Sequence, residues 1–211
     1  MISWEQKFKN VIIACGGVAR TADFNKAGYS NFTVAEMCNY GVIVRLRNGH
    51  YALPTGKLGE EAGIAQLYPD GIVCMESALF YYGYSDKVSS DWHLAFTRTV
   101  TRSRFKDKYP VVRCHMVQEN ILALGVEEGD WDGVKMKIYD RERTICDCFK
   151  RRSRMSSDYF AKAVNAYVAD DKKRLANLPV YAKKLHVYWP VIELMEILLI
   201  ADEAAVSLLK H

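Results

Sequence analysis

One Cys–His pair, one pair of nearby cysteines and the Pro69-Asp70 step are the places where side-chain types could support covalent or acid–base chemistry. Cys114 and His115 pair a nucleophile with a base by type. They are neighbours in a segment with strand character, so their side chains project to opposite faces and make a poor catalytic pair. Cys146 and Cys148, two apart in a helical stretch, diverge in the same way. None of the six cysteines (Cys15, Cys38, Cys74, Cys114, Cys146 and Cys148) forms a C-x-x-C pair, and they read as buried thiols of a reducing compartment. Pro69-Asp70 lacks the (D/E)-x-K triplet on a following strand that a nuclease centre needs. Glycine-rich phosphate loops, H-E-x-x-H and G-x-S-x-G are absent too. The expectation is a protein that is not an enzyme, with no metal site and no cofactor.

What remains is electrostatic recognition. The formal net charge of the 211 residues is only +4. Up to Lys57, however, Lys7, Lys9, Arg20, Lys26, Arg45, Arg47 and Lys57 face only Glu5, Asp23 and Glu36, so this segment holds the whole excess. That asymmetry is the footprint expected for a phosphate backbone.

The elements that must position these charges follow from spacing. Trp4, Phe8, Val11, Ile12 and Cys15 recur at helical intervals and stop at Gly16-Gly17. A second short helix over Thr21 to Ala27 uses Ala22, Phe24 and Ala27 as inward positions, and Gly28 ends it. Ser30 or Asn31 caps a third helix with Val34, Met37 and Cys38 on one face, closed by Gly41. Val42 to Arg47, Asn48-Gly49 and His50 to Pro54 then form strand, turn and strand, with Asn-Gly favouring a type I′ turn. Two helices on a glycine-containing turn followed by a basic hairpin make a winged helix-turn-helix, residues 1–57. In that geometry the third helix enters the major groove, with Asn31, Thr33, Glu36, Asn39 and Tyr40 toward base edges. Arg20, Thr21 and Lys26 are placed for phosphates, and Arg45, Arg47, Asn48 and His50 for the wing contact. The third helix carries no Arg or Lys, and a small helical domain that docks protein is the alternative reading.

After a Pro54 to Gly56 hinge, residues 58–211 suggest a larger mixed α/β domain, giving an α+β chain overall. Leu58 to Tyr68 and Ile72 to Tyr82 have helical spacing, and Trp92 to Thr97, Val111 to Val117 and Val134 to Tyr139 have strand character. Asp140 caps a helix running to Arg152 with Ile145, Cys148 and Phe149 inward, and Ser156 or Ser157 caps the next. The last helix starts at Pro190 and carries the apolar run Val191 to Val206, which Glu193, Glu196, Asp202 and Glu203 keep below membrane-spanning length. The N-terminus has no signal-peptide pattern, so a cytoplasmic protein without a membrane partner is expected.

The pieces Tyr51-Ala52-Leu53-Pro54, Glu76 to Ser85, Trp92 to Phe96 and Ile138 to Asp147, in this order behind the helix-turn-helix, resemble the AbiEi antitoxin family. The resemblance implies a type IV toxin-antitoxin component of abortive phage infection. Its N-terminal domain would bind inverted repeats in double-stranded promoter DNA and repress its own operon. Its C-terminal domain would neutralise a nucleotidyltransferase-like toxin, by direct contact or indirectly. The candidate antitoxin surface comprises Arg102, Arg104, Arg141, Arg143, Arg151 and Arg152. A regulator whose C-terminal domain senses a ligand and an enzyme such as a nuclease targeted to DNA are the two alternatives.

Overall fold

The computed structural model describes residues 4–54, 60–87, 89–105 and 110–199. The chain is an α+β protein in two compact units, Met1–Asp70 with Arg102–Val112 and Asp130–Lys135, and Gly71–Thr101 with Arg113–Gly129 and Met136–His211. Lys57, the expected boundary, lies outside the described residues, and the first unit runs past it to Asp70.

In the first unit, α1 (Trp4–Ala14) is followed by β1 (Val18–Arg20), α2 (Thr21–Lys26), α3 (Asn31–Asn39), β2 (Val44–Arg47), β3 (His50–Ala52) and α4 (Glu60–Leu67). α1 stops where Gly16 and Gly17 take φ of 73° and 103°, and the Gly17 N–H donates to the Ile12 carbonyl at 2.9 Å. The Ser30 hydroxyl caps α3 by accepting the Thr33 N–H at 3.1 Å. Phe8, Ile12, Phe24, Val34, Met37, Ile43 and Tyr51 form the core, with Phe8 stacked on Phe24 at 4.5 Å. Trp4 does not join them: it is 55% exposed. Ala22 and Ala27 are exposed too, because α2 is so short that Phe24 alone reaches the core.

The sheet order is β1-β3-β2, all antiparallel. Three-residue β1 carries no periodic signal, yet it pairs Arg20 with His50. The hairpin is shorter than its apolar pattern suggests, and its turn is not type I′. Gly49 has φ of 75° but Asn48 does not take positive φ. A register shift between Arg45 and Arg47 accompanies this turn. Such a bulge supplies the local twist that a primed turn would otherwise provide.

The second unit holds most of a five-stranded sheet of order β6-β5-β4-β8-β7, built from β4 (Ile72–Val73), β5 (Trp92–Thr97), β6 (Val112–Val117), β7 (Val126–Trp131) and β8 (Val134–Tyr139). Central β4 runs antiparallel to β5 and parallel to β8. It lies inside the stretch whose spacing suggests one helix from Ile72 to Tyr82. Ile72 and Val73 are buried strand residues, and α5 (Met75–Tyr81) starts only after them. Fully buried strands lack alternation, which is why the two periods are confused here. β7 is likewise beyond the expected strands. Asp132 and Gly133, with φ of 50° and 85°, make the tight turn between β7 and β8.

Around the sheet lie α6 (Glu119–Leu122), α7 (Arg141–Lys150), α8 (Ser157–Ala169), α9 (Asn177–Leu185) and α10 (Tyr188–Leu198). Ile145, Cys146, Cys148, Val164, Tyr167, Leu178, Ala182, Val191 and Met195 fill their common core. α10 begins two residues before Pro190, and the continuation of its apolar run to Val206 lies outside the described residues. Among the described residues no helix is long and apolar enough to cross a membrane.

Gly125 shows how tightly this unit closes. Its φ is +71°, and a Cβ there would meet the Arg143 Cβ at 2.7 Å, Asp140 Oδ1 at 3.0 Å and Tyr181 Cε2 at 3.1 Å. Gly125→Ala combines left-handed strain with overpacking and is expected to cost about 2–4 kcal/mol, read by urea unfolding. A cost below about 1 kcal/mol would show that the surrounding side chains yield freely.

Candidate functional site

The N-terminal charges gather around the hairpin. The Thr21 N–H donates to the Gly49 carbonyl at 3.0 Å, tying the start of α2 to the hairpin turn. Asp23 accepts the Arg20 N–H at 2.8 Å, which orders the same corner while the Arg20 side chain stays exposed. Arg45 is exposed and hydrogen-bonds Asn48 across the turn, and His50 Nδ1 lies 3.2 Å from the Asn48 carbonyl. Arg47 is more engaged. Its guanidinium lies over the Tyr68 ring at 5.9 Å, a ring that Arg104 also faces at 5.4 Å and Phe105 stacks on at 5.9 Å. Lys26, Asn31 and Asn39 are exposed, whereas Glu36 is half-buried and the Thr33 hydroxyl is held 3.0 Å from Ser30 Oγ. Two further side chains dominate the open face of α3: Phe32 is 72% and Tyr40 70% exposed. Both fall off the apolar stripe of Val34 and Met37, and that is the signal that separates them from core positions.

The six arginines expected on an antitoxin surface do not form one exposed set. Arg102 is exposed in the first unit, where Arg104 also lies, paired with Asp70 through Nη1 at 2.7 Å. Arg143 is only 1% exposed, so it is not a surface residue. Its Nη1 donates to the carbonyls of Ile121 at 2.8 Å and Leu124 at 2.9 Å, its Nε to Asp147 at 3.2 Å, and its guanidinium covers Tyr139 at 4.1 Å. Helical spacing puts residue 143 on the same inward face of α7 as Cys146, and charge alone does not reveal that. Arg141 is held by Asp170 at 2.8 Å and lies over Tyr82 at 4.6 Å. Arg152 is held by the Met155 carbonyl at 3.1 Å and Ser157 at 3.0 Å, over Phe160. Arg151 is half-buried.

The base of α7 is a polar node in an apolar setting. Asp140 caps the helix through the Arg143 N–H at 2.8 Å and accepts the Tyr181 hydroxyl at 3.0 Å. Burial nevertheless dominates and pushes its carboxyl up to about 6 from an ordinary 3.8. A carboxyl raised in the folded state favours folding most when protonated. Its contribution is therefore full below pH 3.8, falls as pH rises through 6, and is flat beyond. Asp140→Asn keeps an acceptor for the Arg143 N–H but cannot ionise. The stability of wild type relative to this variant is expected to fall by about 2–3 kcal/mol between pH 4 and pH 7, measured by urea unfolding at both. A difference independent of pH would place the titration elsewhere. Asp170 shifts the other way: burial would raise it, but Tyr84 and Arg141 hold it down to about 2, so its contribution is full above pH 3.8 and is lost progressively as pH falls from there through 2.

A histidine pair escapes sequence reading because it is made across strands. His93 of β5 and His115 of β6 place Nδ1 and Nε2 3.2 Å apart, with the His93 ring buried. Burial, then His93 and Arg151, lowers His115 to about 3, so it is neutral at physiological pH. Cys114 contacts the Met116 sulfur at 3.8 Å.

No family model matches this chain, and no curated protein matches it. Among solved structures it is similar to the RV2827C protein from Mycobacterium tuberculosis, with a TM-score of 0.62 and 13% identity over 87% of this chain and 72% of that one. At such identity the likeness extends to the α+β fold alone.

Proposed function

We propose that the protein is a cytoplasmic, DNA-binding autorepressor that also acts as an antitoxin of the AbiEi type. The observation that carries the DNA-binding half is the corner where the start of α2 meets the hairpin turn. There Arg20 pairs in register with His50, Arg45 is held beside Asn48, and α3 leaves Asn31, Phe32, Asn39 and Tyr40 open to a groove. Helix, strand, helix, helix and hairpin in this order support a winged helix-turn-helix reading, with α3 in the major groove and β2-β3 along the backbone. The antitoxin half rests on the sequence resemblance to the AbiEi family. Its matching pieces fall at the end of β3, in α5, in β5 and at the junction of β8 with α7.

Mobility shift of the intact protein on its own upstream region at low ionic strength tests the first half, with a saturable complex the expected result and no shift the refuting one. Co-expression with the toxin encoded beside it tests the second: the full chain should restore growth. A protein that binds its operator without restoring growth would be a repressor only.

A further inference from the structure

We propose that the second unit binds a small phosphorylated ligand of mononucleotide size in a cleft beside α7. The cleft has a volume of about 360 Å³, enough for one such molecule. Arg98, Lys150, Arg151 and Lys184 converge on it from the end of β5, the end of α7 and the last turn of α9. Among the described residues none of the four makes an ion pair with a carboxylate. Asp147, the acidic residue lining the cleft, is already engaged by buried Arg143. Lysines and arginines near helix C-termini complement the helix dipole, which accounts for Lys150, Arg151 and Lys184 one by one. It does not account for Arg98, which follows a strand, nor for the presence of all four in the lining of one concavity. Asp147 is the one carboxylate in the lining; Lys150 and Arg151 feel its charge as Arg143 does, so the cleft keeps a large excess of positive charge, and an anion relieves that repulsion.

The rest of the lining gives the ligand its second chemistry. Met75, Ala95, Met116, Val117 and Ile121 provide an apolar wall, while Gln118 and Asn120 offer amides that can hydrogen-bond the edge of a base. Neutral His115 adds an aromatic edge without further charge. Met75 takes φ of 49°, a left-handed conformation costly for a long side chain, and it does so in the cleft wall. Backbone strain of this kind concentrates at ligand sites. A bare phosphate would satisfy the basic rim and leave the apolar wall and the amides unused. A phosphate attached to a flat, hydrogen-bonding ring uses all three. This inference does not rest on the DNA-binding reading.

Calorimetric titration of the full-length protein with ATP, GTP, CTP, UTP and the corresponding monophosphates tests it, with inorganic phosphate, the free nucleosides and a short single-stranded oligoribonucleotide as separate arms. The expected result is saturable binding of at least one mononucleotide, at least about tenfold tighter than phosphate or nucleoside alone. Lys184→Ala and Arg151→Ala should each weaken it about tenfold or more, and Lys184→Arg should retain most of it. Lys184 is exposed, so thermal melting of its variants should match wild type and exclude misfolding. No saturable binding of any mononucleotide at about millimolar concentration overturns the proposal. So does binding that both alanine variants preserve, or binding confined to the oligoribonucleotide.

Discussion

Arg143→Ala is expected to destabilise the protein by about 3–5 kcal/mol, the cost of removing one partner from a buried charged network. The guanidinium joins three parts of the second unit: the carbonyls of Ile121 and Leu124 at the end of α6, Asp147 one turn along α7, and the Tyr139 ring at the end of β8. Truncation leaves two carbonyls without their donor and Asp147 without its counter-charge. Burial already raises the Asp147 carboxyl against the pull of Arg143, so without the arginine its ionised form is harder still to keep in the fold. Arg143→Lys should recover less than half of the loss, because one ammonium cannot reproduce a planar fork that reaches both carbonyls and Asp147. Replacing both charges, with Arg143→Met and Asp147→Leu together, should cost less than Arg143→Ala alone, since no unpaired charge is left inside. Urea unfolding monitored by circular dichroism decides. A loss below about 1 kcal/mol for the alanine variant would mean that water replaces the guanidinium without penalty.

What is legible in the chain follows a physical division. Local signals worked where they act alone. Ser30, Asp140 and Ser156 cap the helices expected of them, because a side-chain oxygen three residues before an N–H needs no tertiary help. Signals that depend on the environment misled. Ile72-Val73 resembled the start of a helix because a doubly covered strand has no polar face to mark it. Arg143 looked like surface because its satisfaction comes from carbonyls about 20 residues upstream, which no local pattern encodes. The two Gly-containing turns are instructive together. Asn48-Gly49 has the composition of a type I′ turn and is not one, whereas Asp132-Gly133, equally favourable in composition, has both residues at positive φ. The hairpin of β7 and β8 thus had a legible turn, but Val126 to Trp131 carries three acidic residues and one glycine and lacks the apolar alternation that announces a strand. The exposure of Arg20, Lys26, Asn31, Asn39 and Arg45 is legible in sequence because charge and capping define those positions. The basic cleft is not, since Arg98, Arg151 and Lys184 are separated by more than 80 residues from first to last.

Joint replacement of Arg20, Lys26 and Arg45 by alanine is expected to abolish operator binding near physiological salt while leaving stability within about 0.5 kcal/mol of wild type per site. All three side chains are exposed, and none belongs to the core of the first unit. The backbone features that order this corner survive the change: the Arg20 N–H still donates to Asp23, and the Thr21 N–H still meets the Gly49 carbonyl. Each cation placed against a phosphate releases about 0.9 counterion from duplex DNA, so losing three contacts should reduce the slope of log affinity against log salt by about 2.7. The affinity for operator and for random duplex should fall together, by about 100-fold or more, because phosphate contacts carry no sequence information. Arg47 is left out of the set because its guanidinium lies over Tyr68, and its removal would mix a packing loss with the electrostatic one. Phe32→Ala is the counter-experiment. An apolar side chain at the start of α3 can touch a thymine methyl but cannot hold a phosphate. Its loss should lower operator affinity, leave random duplex unaffected and keep the salt slope unchanged. If the triple replacement instead spares non-specific binding, or if Phe32→Ala weakens both duplexes alike, then α3 and the hairpin do not divide base and backbone recognition between them.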